Sequence, residues 1–374
     1  MPTHDPKPVV AVLGGGQLGR MLGLAGVPMG VSFRFLDPSP GAGAAAVGAL
    51  VVGTLGDPEA VAAVAAGADA VTYEWEGVPA SVVRPLVAAG VAVWPPPDAL
   101  EASQDRLAEK QLFESLGIPV SAFAPVDDAP SMATAHGAVG PRAVLKTRRG
   151  GYDGKGQIVI DESTDLDQAV GLLVPAGPLI LEQFVDFDRE LSIIAVRSRS
   201  GEIRCWPLVE NRHRGGILRT SIAPAPDSAR LQAAAEQAIG AIMERFDYVG
   251  VLTLELFQVG DRLLANEMAP RVHNSGHWTI EGAVTSQFEN HIRAILGWPL
   301  GSTDPIGVSA MVNCIGALPD PATVLDVPGA HLHQYAKTPR PGRKVGHVTV
   351  VADDAADLEN RLSRLRAALP ADEG

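Results

Sequence analysis

Short apolar runs alternate with helical stretches over the first hundred residues. Val9–Leu13 is continuously apolar, as expected of a strand buried on both faces. Gly14, Gly15, Gly16 and Gly19 follow, and then a helical pattern through Met21, Leu22 and Leu24. Further runs at 31–36, 49–52, 70–72 and 91–93 read as strands, with helices starting after Asp57 and Pro79. The alternation predicts an open, parallel α/β sheet ending near Trp94-Pro95-Pro96-Pro97.

The pattern then changes. An amphipathic helix begins around 103–110, capped by Ser103 or Asp105, with Leu107, Leu112 and Leu116 on related faces, and Gly117-Ile118-Pro119 ends it. Arg106 and Lys110 lie one turn apart, on a face that reads as solvated. Residues 143–160 predict two short strands around a loop rich in glycine (Gly150, Gly151, Gly154, Gly156) and cations (Arg148, Arg149, Lys155). A helix at 163–173 and a strand at 179–185 follow, with the strand's alternation breaking at Glu182-Gln183. Glu190 opens another strand, 210–214 reads as a polar cluster between strands, and 227–246 as a long amphipathic helix.

Strands at 251–257 and 263–268 each carry an internal carboxylate, Glu255 and Glu267. A three-residue loop at 260–262 would set the two carboxylates opposite each other on one face. A two-residue Gly260-Asp261 loop would put them on opposite faces. A helix at 285–296, strands at 309–315, 331–335 and 346–351, and a helix at 355–369 complete the chain. These shifts divide it into 1–103, 104–297 and 298–374.

The length of 374 residues suits two or three domains. The chain lacks the ~18-residue apolar run of a membrane span. Its first residues lack the basic and apolar regions of a signal peptide. A net charge of −13 argues against nucleic-acid partners. Cys205 and Cys314, far apart in apolar contexts, read as free thiols in a reducing, cytoplasmic compartment.

Candidate chemistry concentrates in a few stretches. In 143–160, glycine permits close backbone approach, and exposed N–H groups with Lys146 and Lys155 suit a polyphosphate. An ordinary hairpin turn is the other reading. The loop is not a Walker A motif, because Gly156 and not Ser or Thr follows Lys155. Glu255 opposed to Glu267 would repel without a cation and suits Mg²⁺. Arg271, His273 and Asn274 follow at once and suit a small oxyanion. His273 and His277 lack the H-E-x-x-H of a zinc site.

The G-x-G-x-x-G at 14–19, with Asp37 ending the second strand, also fits a nicotinamide dehydrogenase or a plain tight turn. Glu74 and Glu76 end the 70–72 strand, where open α/β sheets bind ligands. Residues 337–344 form a basic loop in an acidic chain and suit a substrate phosphate.

In order, these motifs resemble the ATP-grasp superfamily. The fuller similarity is to the 5-(carboxyamino)imidazole ribonucleotide synthases of purine biosynthesis. It rests on G-G-G-Q-L-G-R-M at 14–21, Q-D-R-x-x-x-K at 104–110, G-Y-D-G-K-G-Q at 151–157, N-E-M-A-P-R-V-H-N-S-G-H-W-T at 266–279 and P-G-R-K-V-G-H at 341–347. The resemblance implies an N-terminal open α/β (Rossmann-like) domain, a central α+β ATP-grasp domain and a small C-terminal β-rich domain. It implies ATP and Mg²⁺, bicarbonate activated as carboxyphosphate, carboxylation of 5-aminoimidazole ribonucleotide, and a homodimer.

By the same resemblance, Arg106, Lys146, Lys155 and the flap Gly151, Tyr152, Asp153, Gly154, Gly156 and Gln157 contact ATP phosphates. Glu182, Gln183, Phe184 and Val185 meet the adenine; Glu190 meets the ribose, and His213 lies near the nucleotide. Glu255 and Glu267 hold Mg²⁺ beside Asn266, and Arg271, His273 and Asn274 hold bicarbonate. Glu74, Tyr152, Asp153, Lys337, Arg343 and Lys344 hold the ribonucleotide. Formate-using ribonucleotide transformylases of the superfamily carry Asp-Thr where this chain has Asn274-Ser275, which favours bicarbonate. A non-catalytic nucleotide sensor is a further alternative.

Overall fold

The computed structural model describes residues 7–151 and 156–370. Tyr152, Asp153, Gly154 and Lys155 lie outside the described residues, and so do the flap roles given to them.

The N-terminal sheet comprises β1 (Val9–Leu13), β2 (Ser32–Asp37), β3 (Ala49–Val52) and β4 (Ala70–Tyr73). Its order is β3-β2-β1-β4 and its pairings are parallel, as the apolar runs predict. The run at 91–93 does not form a strand; only Val93 makes a single bridge, to Val71. Pro95 and Pro96 follow, and neither has an N–H to extend a ladder.

The second sheet comprises β5 (Phe123–Val126), β6 (Ala143–Thr147), β7 (Gln157–Ile160) and β8 (Leu179–Gln183), in the order β5-β8-β6-β7 and antiparallel. The strands flanking the flap thus form the expected hairpin. At its base Gly156 has φ +73°, and a Cβ there would lie 2.8 Å from Thr147 Oγ1. Glycine is the residue that fits.

The third sheet comprises β9 (Arg189–Arg197), β10 (Ile203–Cys205), β11 (Val209–Arg214), β12 (Ile217–Ala223), β13 (Gly250–Val259), β14 (Arg262–Ala269), β15 (Val308–Ile315), β16 (Ala330–Gln334) and β17 (Lys344–Ala352). The order is β14-β13-β9-β11-β12-β15-β17-β16, with β10 on β9. The polar residues at 210–214 are therefore a strand and not a connection, because neighbours on both sides pair their backbone. The C-terminal strands continue the same ladder through β12 and β15, where Thr220 faces Val312.

Two cores sandwich this sheet. The helix Ala229–Arg245 buries Leu231, Ala235, Ile239 and Ile242, spaced for one helical face, against Ile193, Leu252, Leu254 and Leu256. On the opposite face, Ile194, Val196 and Val251 pack with Phe288 and Ile292 of the helix Gln287–Leu296, and with Met21, Leu22 and Phe33 of the N-terminal domain. Each fully buried side chain of this size contributes about 1.5–3 kcal/mol. This shared core brings the carboxyl ends of the N-terminal strands to the central sheet. Cys205 and Cys314 are free thiols, the second buried.

Candidate functional site

The carboxylate hairpin has the shorter of the two predicted loops. Val259 pairs with Arg262 across Gly260-Asp261, and Gly260 adopts φ +58°. That loop alone would put Glu267 on the core face. A bulge reverses the outcome. Leu256 pairs with Ala265 but Leu254 pairs with Met268, so Glu255 faces both Asn266 and Glu267. The apolar partners point to the core and both carboxylates to the other face.

Burial, then repulsion from Glu267, pushes the Glu255 carboxyl up to about 8. Glu267 is held by Arg106 Nη1 at 2.8 Å, while Arg106 Nη2 donates to Gly151 O at 3.1 Å. Glu190 and His213, on adjacent strands, pair with each other beside Glu255. Burial would lower the His213 pKa, but the Glu190 carboxylate outweighs it and raises it.

Lys110 contradicts the solvated reading of its helix face. It is 2 % exposed, bonds Ala265 O at 3.1 Å and lies 3.3 Å from Glu182. Lys146 reaches the same carboxylate at 3.2 Å. Burial alone would raise the Glu182 pKa, but the two lysines bring it down to about 2. Asp105 caps the helix Arg106–Ser115 and accepts from Arg148 Nε and Nη2 at 2.9 and 2.7 Å. Arg149 joins at 3.3 Å. The flap's two arginines are thus tied down at its base. Gln183 and Gln157 are exposed, Phe184 lies under the Arg142 guanidinium at 3.9 Å, and Val185 is half-buried.

Arg271, His273 and Asn274 stand together beyond β14. Arg271 pairs with Glu76, whose pKa burial would raise but the guanidinium brings to about 2. Burial and the Arg271 charge hold His273 at about 3, so its ring is neutral. Ser275 N–H donates to His273 Nδ1 at 3.3 Å, which leaves the ring proton on Nε2, facing Glu255 Oε1 at 3.4 Å. The direction propagates outward. The Ser275 hydroxyl donates to Nδ1 (2.9 Å), Ser192 to Ser275 (2.8 Å), Asn211 Nδ2 to Ser192 (2.9 Å) and Ser221 to Asn211 Oδ1 (2.7 Å).

The N-terminal glycine loop is filled by the protein's own carboxylate. Glu74 accepts from Gly16 N at 2.7 Å and Gly19 N at 2.6 Å, and a Cβ at Gly16 would lie 2.6 Å from its Oε1. Asp37 accepts from Gly15 N at 3.0 Å. The two features that suggested a dinucleotide are therefore engaged with Glu74 and with each other, which removes the support for a nicotinamide site. Lys337 donates to Gln17 Oε1 at 2.6 Å, and its charge reaches Glu74. Arg343 donates to Thr338 O at 3.1 Å. Lys344, opening β17, lies close enough for its charge to act on Glu255, His213 and His273.

The sequence reading missed the buried Glu109, which accepts from Met268 N at 2.7 Å. It also missed Ser192 and Asn211. Their signal was faint: Ser192 is a lone small polar residue in an apolar run, and Asn211 is lost among the charged residues of its own strand.

The architecture and site define an ATP-grasp enzyme. Residues 111–288 match the ATP-grasp domain, 8–104 the ribonucleotide synthetase preATP-grasp domain and 309–361 the phosphoribosylaminoimidazole carboxylase C-terminal domain. The chain is 49% identical over 362 residues to the N5-carboxyaminoimidazole ribonucleotide synthase of Pseudomonas aeruginosa, covering 97% of this chain and 99% of that protein. The crystal structure of N5-carboxyaminoimidazole ribonucleotide synthetase from Thermus thermophilus superposes with a TM-score of 0.92 at 56% identity, covering 96% of this chain and 98% of that one. The Aspergillus clavatus synthase in complex with ADP and 5-aminoimidazole ribonucleotide superposes with a TM-score of 0.90 at 31% identity, covering 97% and 98%. The chain belongs to the N5-carboxyaminoimidazole ribonucleotide synthase family of ATP-grasp ligases.

Proposed function

We propose that the chain uses ATP to activate bicarbonate as carboxyphosphate and carboxylates the exocyclic amine of 5-aminoimidazole ribonucleotide. The products are N5-carboxyaminoimidazole ribonucleotide, ADP and phosphate. The observation that carries this reading is the pair Glu255 and Glu267, set on one face by the bulge, with Arg106 on one side and Arg271 and His273 on the other. Phosphoryl transfer needs positioning and charge neutralisation more than a protein nucleophile. The site supplies cations and carboxylates in that proportion.

Arg106, Lys146, Lys155 and the flap 151–157 take the ATP phosphates. Glu182, Gln183, Phe184 and Val185 meet the adenine, with the Glu182 carboxylate itself held by Lys110 and Lys146. Glu190 takes the ribose, with His213 orienting it. The opposed carboxylates of Glu255 and Glu267 fit Mg²⁺, which takes oxygen ligands from a few carboxylates and from substrate phosphates. Among the described residues no group of three or more His, Cys, Asp or Glu forms an all-protein cage. When bound, Mg²⁺ neutralises charge developing on the polyphosphate.

Arg271 and Asn274 hold bicarbonate, and neutral His273 contributes its Nε2–H as a donor and does not take a proton. Glu74, Lys337, Arg343 and Lys344, with Tyr152 and Asp153, take the ribonucleotide. We also read the protein as a cytoplasmic homodimer working through segments 1–103, 104–297 and 298–374. Among the described residues no helix is long and apolar enough to cross a membrane.

The test is phosphate release from ATP with bicarbonate, measured with and without 5-aminoimidazole ribonucleotide. Release stimulated by the ribonucleotide supports the proposal. Release independent of it overturns the substrate, and no release at all favours the nucleotide sensor.

A further inference from the structure

Asn313 lies on β15, in the C-terminal part of the chain, and is buried among apolar neighbours. It meets Asn274, also buried, from the loop that follows β14. The two amides bond reciprocally. Asn274 Nδ2 donates to Asn313 Oδ1 at 3.1 Å, and Asn313 Nδ2 donates to Asn274 Oδ1 at 2.7 Å. Asn313 Nδ2 also donates to Leu218 O on β12 at 2.9 Å.

That third bond decides the other two. A backbone carbonyl only accepts, so Leu218 dictates which end of the Asn313 amide carries nitrogen. The other end must then be the oxygen, and it faces Asn274 as an acceptor. Asn274 is obliged to present its nitrogen there and so is held in one of its two amide orientations. One N–H of Asn274 Nδ2 is consumed and its second N–H remains as a donor. The height of Asn313 is itself set by the sheet, through the β12–β15 pairing of Thr220 with Val312.

We propose that Asn313 is a positioning residue of the anion site, fixing through Asn274 the donor that bicarbonate or carboxyphosphate meets. The inference rests on the assignment of Asn274 to that anion. It ties the segment carrying Lys337, Arg343 and Lys344 to the place where the anion is activated, through one amide pair.

The experiment is steady-state kinetics of the full chain carrying Asn274→Ala, Asn313→Ala or both. Asn313→Ala is expected to raise the KM for bicarbonate roughly tenfold, the size of one positioned hydrogen bond. The KM for Mg-ATP should change by less than about twofold. The double variant should match Asn274→Ala alone, because Asn313 acts through Asn274. Additive effects, or bicarbonate and ATP constants moving together, overturn the proposal. If Asn274→Ala leaves the bicarbonate KM unchanged, the assignment of Asn274 falls and the inference with it. If Asn274→Ala raises that KM and Asn313→Ala does not, the inference alone falls. Should Asn313→Ala fail to fold, Asn313→Ser carries the same comparison. Its side chain is one bond shorter than the amide and no longer spans to Asn274, and its bicarbonate KM is expected to rise towards that of Asn274→Ala; a value equal to the parent's overturns the proposal.

Discussion

Glu182 and Glu255 are the same residue type, each set inside a strand, and their surroundings drive them apart. Burial raises the pKa of both. Around Glu182, Lys110 and Lys146 at 3.3 and 3.2 Å overcome that cost and carry the carboxyl down to about 2. Around Glu255, Glu267 adds to the cost of burial, His213 and Lys344 offset only part of it, and the carboxyl rises to about 8. The first is a strut, one carboxylate between two ammonium groups, joining the helix Arg106–Ser115 to β6 and β8. The second faces a like charge, with His213 and Lys344 offsetting only part of the cost of burial, and holds its proton until a metal cation arrives. Burial therefore does not separate structural from functional carboxylates. Local charge balance does.

Three experiments put that contrast at risk. Glu182→Gln leaves Lys110 and Lys146 buried without a counter-charge, and a loss of about 3–5 kcal/mol in chemical denaturation is expected. A loss below about 1 kcal/mol, the scale of an exposed ion pair, would deny Glu182 its structural role. Glu267→Gln relieves Glu255 but leaves Arg106 without its carboxylate, so a smaller loss of metal-free stability than for Glu182→Gln is expected. Turnover should fall roughly 10²-fold, as for loss of a group that stabilises developing charge, with a raised Mg²⁺ requirement. Unaltered turnover and Mg²⁺ dependence would remove Glu267 from the site.

The smallest effect is on pH dependence. The folded protein keeps the Glu255 proton up to about 8, whereas the unfolded chain releases it near pH 4.3. The folded state binds the extra proton between those values, so this group's contribution to stability is lost as pH rises towards 8. His273, held at about 3, acts in the opposite sense only below its ordinary value of 6.5. Melting temperatures of metal-free protein should therefore fall from about pH 6.5 to about pH 8, and Glu255→Gln should flatten that slope. His213, raised by Glu190, contributes in the same direction and leaves part of it. An unchanged slope would show that Glu255 does not carry this proton.

Much of the fold was legible because periodicity reports local geometry. The alternation of the first hundred residues, the helix capped by Asp105, the flap's flanking strands and the helix closed by Gly297 all follow from short-range pattern. Charges were legible as types but not as partners. Lys110 read as solvated because helical spacing says which residues share a face but not what covers it; β8 and β14 do. Arg148 and Arg149 read as flap cations, yet Asp105, more than forty residues earlier, holds both. The glycine loop fits a dinucleotide by its spacing, and only the return of the chain at Glu74 fills it.

The carboxylate hairpin shows the division most clearly. Local pattern alone specified two strands, a glycine able to take a positive φ between them and one acid in each, because side-chain alternation and turn chemistry are short-range properties. It left two loops open, and the shorter one formed. Whether the acids share a face was settled by a bulge at Asn266-Glu267. There the core's demand that Leu254, Leu256, Ala265 and Met268 all point inward admits one extra residue on β14. That demand comes from the helix Ala229–Arg245 and from β9, which the hairpin's own residues do not specify.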